Sequence, residues 1–217
     1  MILYFLKLKT IPLFFKIFSQ TVITNLTLKQ PEVLHKVAFL DRDGVINRDS
    51  AAYIKSREEF EFLPGSIAAL VRLCEAGYDV IIITNQSAVN RGMITLKGLD
   101  DMHRMMKKTV QRHGGRIRDI YYCPHRPDEG CDCRKPKPGL IFKACDQYKI
   151  DLNHSIMVGD SAKDIECARN AGCAKAVLVK TGNGPKSEKE LEDRGFEADY
   201  VATYLENAAS WIIKEDV

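Results

Sequence analysis

From Lys36 onward the chain alternates short apolar runs with longer amphipathic stretches. Residues 37–40 (VAFL) and 80–83 (VIII) are continuous apolar runs, as expected of strands covered on both faces. Residues 117–123, 155–160, 174–180 and 198–202 predict four further strands. Between them, residues 66–77 place Ile67, Leu70, Val71 and Cys74 on one helical face, with Gly77 as a stop signal. Residues 96–110 place Leu99, Met102, Met106 and Val110 together, and Gly114-Gly115 ends that helix. The methionines read as core packing rather than cofactor contacts. Residues 140–148, the AKDIECARNAG segment and the last dozen residues complete the helices. Units of this length, alternating without an internal repeat, predict one three-layer α/β domain over residues 36–217 with a central parallel sheet.

Residues 1–35 break that pattern. They are rich in apolar residues but carry Lys7, Lys9 and Lys16 and are interrupted by Pro12, so no uninterrupted stretch spans a bilayer of ~30 Å. An unbroken signal-peptide core and a cleavage site are also lacking. The segment reads as a poorly ordered extension, a surface helix or a mis-assigned start, with a membrane-surface anchor as the alternative. No stable membrane insertion is expected.

Composition adds little until charge and cysteine are considered. The formal charge is only +3, and no run of basic residues points to a nucleic-acid partner. Seven cysteines are present, and Cys123, Cys131 and Cys133 crowd into one loop beside His125. That crowding suggests a metal site rather than disulfides, and thiolates that must stay reduced point to the cytoplasm.

Polar residues recur at one place in the pattern. Asp41, Thr84 and Asp160 each lie just beyond the C-terminal end of an apolar strand, the edge where open parallel sheets bind ligands. In DRDGVIN, Asp41 and Asp43 project to the same side while the chain stays extended, and Gly44 permits a sharp departure. By itself DRDG reads equally as a turn or as a site. Two close carboxylates need a cation between them or a proton on one; magnesium suits the first case and general acid–base chemistry the second. Asp160 can complete a cation site, and Asp164 can reach back to it or cap the following helix. Thr84, Asn85, Gln86 and Ser87 supply groups that cradle phosphate oxygens, and Lys135 offers a mobile loop cation.

These segments, DxDG, a strand-ending Thr, a loop Lys and GDxxxD, resemble the four ordered motifs of the haloacid dehalogenase superfamily of phosphatases, over residues 37–181. The resemblance implies a Rossmann-like domain with a minimal cap. It implies Asp41 as nucleophile, Asp43 as general acid and base, and Thr84 and Lys135 as groups that steady the phosphoryl group. Magnesium would be held by Asp41, Asp160 and the backbone carbonyl of Asp43.

Cys123, His125, Cys131 and Cys133 form the soft, closed tetrahedral set that zinc prefers in structural sites; a cluster of free thiols is the alternative reading. Arg134 and Lys135 follow directly, so a metal knot would fix both cations, leaving Arg134 to grip a second phosphate. The zinc loop is similar to the branch that holds the heptose-bisphosphate and histidinol-phosphate phosphatases. DRDGVIN, FEFLPG, TNQSxxxRG and CDCRKPKPG lean to the heptose side, although AVN and SAAYI depart from its usual pattern. The resemblance implies a small phosphorylated sugar as substrate, on a route to bacterial lipopolysaccharide. Its pocket would draw on Asp49, Ser50, Thr84 to Ser87 and Arg134. A single-domain monomer is expected.

Overall fold

The computed structural model describes residues 33–34 and 36–216. In chain order its strands are β1 (Val33–Leu34), β2 (Val37–Leu40), β3 (Asp79–Asn85), β4 (Ile117–Cys123), β5 (Lys149–Ile150), β6 (Ser155–Gly159), β7 (Lys175–Val179) and β8 (Tyr200–Ala202). Its helices are α1 (Ser66–Glu75), α2 (Leu96–Arg112), α3 (Gly139–Gln147), α4 (Ala162–Ala171), α5 (Gly184–Asp193) and α6 (Leu205–Glu215). Six strands make one parallel sheet in the order β4-β3-β2-β6-β7-β8. The chain therefore builds outward from β2 in one direction through β3 and β4, then returns beside β2 and builds the other way.

Strand residues alternate between two cores, as the two-residue period of a strand requires. Ala38, Leu40, Val80 and Ile82 face a cluster with Leu70 of α1, Leu99 and Met102 of α2 and Ile212 of α6. Val37, Phe39, Ile81 and Ile83 face the opposite cluster, with Ile141 of α3, Ile165 of α4 and Leu191 of α5. The layers are thus helix, sheet, helix, and β2 and β6 read as continuous apolar runs because both of their faces are covered. Helix ends follow local chemistry. The Thr95 hydroxyl accepts from Gly98 N at 3.0 Å to start α2, and Gly172, at φ 83°, ends α4 in the left-handed conformation.

Several elements differ from expectation. β1 pairs in parallel with β5, and neither two-residue strand is apparent from periodicity. Val33 and Leu34 belong to the segment read as an extension; the rest of that reading lies outside the described residues. Helix α5 was not foreseen. The buried face of α1 is Ser66, Ala69, Leu70 and Leu73; Leu70 is as expected, but Ile67, Val71 and Cys74 are not on it. Helix α1 packs against α6, and Ala69, Leu70 and Leu73 share a core with Ala208, Ala209 and Ile212, which turns the face by about one residue from the expected one. Between β2 and α1 the chain forms only single bridges, Asp43 with Asn47 and Asn47 with Phe62, and contains no separate cap domain. No described helix is long and apolar enough to cross a membrane.

Candidate active site

The order of the sheet reverses at β2, and its neighbour β6 begins the return, so a crevice opens beyond the carboxyl ends of these two strands. Asp41 follows β2 and Asp160 follows β6. Asp41 N donates to Val158 O at 2.9 Å, which ties the first loop residue to the neighbouring strand. Carboxylate oxygens of Asp41, Asp160 and Asp164 all lie within 4.8 Å of one another. Asn183 approaches Asp160 Oδ2 through its backbone N–H at 2.7 Å and its side-chain amide at 3.1 Å.

Lys135 is locked in place, which corrects the expectation of a mobile cation. It is 3 % exposed, and its ammonium meets Asp41 Oδ1 at 2.9 Å, Asp164 Oδ1 at 2.6 Å and the carbonyl of Ile83 at 2.8 Å. Two carboxylates and a carbonyl, from three separate segments, thus hold the ammonium. Of the two roles foreseen for Asp164, it takes the helix cap and pairs with Lys135. One oxygen holds Lys135 and the other accepts from Ser161 N at 3.0 Å, capping α4. With both oxygens engaged, Asp164 supports the cluster, and Asp41 and Asp160 remain to meet a cation.

Asp43 lines the same cleft, but its carboxylate is turned aside onto Arg42, at 2.7 Å and 2.8 Å from Nη2. Asn47 Nδ2 donates to Asp43 Oδ1 at 2.8 Å and Gln86 Nε2 to Oδ2 at 2.7 Å. Gln86 Nε2 also reaches Thr84 Oγ1 at 3.0 Å. The Asn85 side chain instead brackets the Lys135 backbone, accepting from its N–H at 3.1 Å and donating to its carbonyl at 3.3 Å. Among the TNQS residues, then, Asn85 and Gln86 spend their side chains on bracing the site.

The electrostatics separate the acids. Burial lifts Asp41 to about 6 against the pull of Lys135, aided by the charges of Asp164 and Asp43. Burial also lifts Asp160 to about 8, with Asp164 and Asp41 adding to the effect. For Asp43 burial acts upward too, but Arg42, Asn47 and Gln86 outweigh it and hold the carboxyl below its usual range. Burial opposes the Lys135 charge, and Asp164 and Asp41 overcome it and raise its pKa. Two acids that resist joint ionisation, each presenting hard oxygen atoms, form a donor set suited to magnesium.

The cleft above these groups has a volume of about 430 Å³. Every residue expected to bind substrate lines it: Asp49, Ser50, Thr84, Asn85, Gln86, Ser87 and Arg134. It also includes residues that were not singled out as site residues, among them Tyr53, Arg91, Lys163, Asn183 and Lys186. Asn183 further donates to Asp49 Oδ2 at 3.0 Å, joining the two rims. Asn183 lies in the loop just past β7, so the strand-end rule that identified Asp41 and Asp160 also points to it. Tyr53 has a left-handed backbone, φ 62°, and the Arg91 guanidinium lies over its ring at 5.6 Å.

Beside the cleft, Cys123, His125, Cys131 and Cys133 converge, their ligand atoms all within 4.8 Å. Cys123 Sγ is 3.5 Å from His125 Nδ1 and 3.6 Å from Cys131 Sγ, and His125 Nδ1 is 3.2 Å from Cys133 Sγ. Donors around a tetrahedral zinc ion stand roughly 3.3–3.8 Å apart, so a set gathered this tightly could hold one. Arg134 Nη1 donates to His125 O at 3.1 Å, coupling the guanidinium to the knot. The other cysteines divide: Cys167 and Cys173 are buried, and Cys74 and Cys145 are partly exposed.

The HAD-hydrolase-like family profile matches residues 132–208. The D-glycero-beta-D-manno-heptose-1,7-bisphosphate 7-phosphatase of Pseudomonas putida is 49% identical over 152 residues, covering 70% of this chain and 86% of that protein. The enzyme of the same name from Bordetella bronchiseptica is 45% identical over 152 residues, 70% of this chain and 84% of its own. The crystal structure of D,D-heptose 1,7-bisphosphate phosphatase from B. bronchiseptica, complexed with magnesium and phosphate, matches with a TM-score of 0.77 at 41% identity, over 83% of this chain and 99% of that chain.

Proposed function

We infer the reaction from kinship: this chain belongs to the haloacid-dehalogenase-like hydrolases and, within them, to the D-glycero-D-manno-heptose-1,7-bisphosphate 7-phosphatases. It hydrolyses the C7 phosphate of a heptose bisphosphate and leaves the 1-phosphate. The observation that carries this substrate is the distribution of cations. Lys135 sits at the acidic cluster, and Arg91, Arg134, Lys163 and Lys186 line the same cleft, so cations beyond Lys135 are available to a second phosphate. The cationic side chain of histidinol phosphate would meet repulsion there.

Asp41 attacks phosphorus, forming an aspartyl phosphate as the sugar oxygen leaves with a proton from Asp43. Asp43 then takes a proton from the water that releases phosphate. In the ligand-free cleft Arg42 keeps Asp43 ionised; a phosphoryl group brought beside it adds negative charge and favours the protonated form. Lys135 and Thr84 meet the phosphoryl oxygens, and Arg134 meets the second phosphate. Magnesium, held by Asp41, Asp160 and the backbone carbonyl of Asp43, would neutralise charge building on the transferring group. Zinc in the cysteine loop is structural, and its thiolates suit the cytoplasm.

Initial rates with magnesium on both anomers of heptose 1,7-bisphosphate, on fructose 1,6-bisphosphate and on histidinol phosphate test this reading. A heptose preference of about a hundredfold in kcat/KM, or ~2.7 kcal/mol of transition-state discrimination, is expected. Preference for histidinol phosphate would overturn the substrate and leave the Asp41 chemistry intact. Asp41→Asn should fold and be inactive; turnover by the purified variant would exclude the covalent route.

A further inference from the structure

We propose that His103 and Arg42 are positioning residues that set the Asp43 carboxylate for its work on the leaving oxygen; this rests on the assignment of Asp43 as the proton donor to that oxygen. Arg42 lies between the two aspartates in sequence, yet its side chain turns away from the cleft and is completely buried. Its Nε reaches Asp43 Oδ1 at 3.1 Å, and Nη2 reaches both carboxylate oxygens, at 2.7 Å and 2.8 Å. Its remaining nitrogen, Nη1, lies 3.3 Å from Nε2 of His103. Phe60 lies beneath the guanidinium, 5.9 Å from its carbon to the ring centre.

Arginine carries only donors, so in this contact His103 Nε2 must accept, and the imidazole proton belongs on Nδ1. His103 is on α2, in the face of Met102, Met106 and Val110, and is 6 % exposed. Its ring packs against that of Tyr122, with centres 5.8 Å apart. An imidazole among apolar neighbours is an expensive way to fill a core, as is a fully buried guanidinium. Both costs become intelligible if the pair transmits the rigidity of α2 to one carboxylate: helix to imidazole, imidazole to guanidinium, guanidinium to Asp43. The planar fork fixes the orientation of the carboxylate as well as its charge, which a lysine would not do. Asn47, from the same loop, and Gln86, just past β3, complete the cradle.

The choice of leaving group tests this. A sugar alkoxide needs a proton as it departs, whereas the phenolate of p-nitrophenyl phosphate does not, and kcat/KM reports the steps through phosphoryl transfer to Asp41. His103→Leu should lower kcat/KM on a sugar phosphate by roughly 10- to 100-fold, the usual effect of losing an outer-shell partner, and change it little on p-nitrophenyl phosphate. His103→Gln, which restores an acceptor, should recover most of that loss. Arg42→Lys keeps the cation and removes the fork; it should show the same selectivity, and it carries the test if His103→Leu does not fold by circular dichroism. Equal losses on both esters would mean general damage and overturn the proposal. Asp43→Asn separates the two ways of failing. If Asp43→Asn is selective for the sugar phosphate and the His103 and Arg42 variants are not, positioning alone is refuted. If Asp43→Asn shows no selectivity, the assignment of Asp43 falls and the proposal falls with it.

Discussion

Asp160 sits where two loops close on a single carboxylate. A Cβ on Gly44 would stand 2.2 Å from Asp160 Oδ2, and one on Gly182 would stand 2.1 Å from the same atom; both glycines are left-handed, at φ 78° and 55°. No side chain fits either position, so the loops after β2 and β7 approach Asp160 through bare backbone. Gly182→Ala should therefore displace Asp160 as well as strain the backbone by ~1–2 kcal/mol. The expected result is a magnesium requirement raised by roughly tenfold or more, with rates partly restored at saturating metal. A magnesium titration of initial rates checks it, and an unchanged half-saturation point would show that Asp160 does not hold the ion. At this scale the chemistry-bearing residues were legible because their positions follow a rule: Asp41 and Asp160 directly follow strand ends, and Thr84, expected just past β3, is instead its penultimate residue. Their partners were not. Lys135 is immobilised by Asp164 from α4 and by the Ile83 carbonyl from β3, contacts that only the folded chain brings together. His103 was hidden for another reason, since its place on the buried stripe of α2 looks like any core position.

Among the elements, those with strong periodicity were readable and those held by context were not. β2, β3, β6 and β7 are apolar runs forced by burial on two faces. Helix α5, GPKSEKELED, is polar nearly all round; only Gly184, Ser187 and Leu191 are buried, so no apolar stripe announces it. The cysteine loop is the opposite case, because its donor types and spacing carry the signal without any periodicity. It joins the end of β4 to Arg134 and Lys135, and so connects a soft metal knot to both candidate phosphate-binding cations. Cys131→Ser should lose zinc by metal analysis and expose residues 127–130 to limited proteolysis. It should also lower kcat/KM on the bisphosphate by roughly tenfold, with no recovery on adding magnesium. Full activity in zinc-free protein would leave the loop without a part in placing Arg134 and Lys135.

Three carboxylates, Asp41, Asp160 and Asp164, meet at the edge of the sheet where its strand order reverses, and this has a consequence for the stability of the whole molecule. Burial raises the pKa of Asp41 to about 6 and of Asp160 to about 8 in the metal-free protein, each aided by the charges of neighbouring acids. A carboxyl group with a higher pKa folded than unfolded binds its proton more tightly when folded, so its contribution is complete below about pH 4 and is lost as pH rises through the folded value. Metal-free protein should thus lose stability progressively from about pH 4 to about pH 8 as the Asp41–Asp160 pair ionises. Magnesium binds the ionised pair and opposes this loss, because a ligand that binds only the folded state stabilises it by mass action. The gain in Tm on adding a fixed excess of magnesium should therefore be small near pH 5 and grow steadily toward pH 8, which calorimetry with and without the metal would measure. A gain independent of pH would mean that the ion does not replace protons on Asp41 and Asp160. The cluster would then be a structural ion-pair network around Lys135 rather than a metal site.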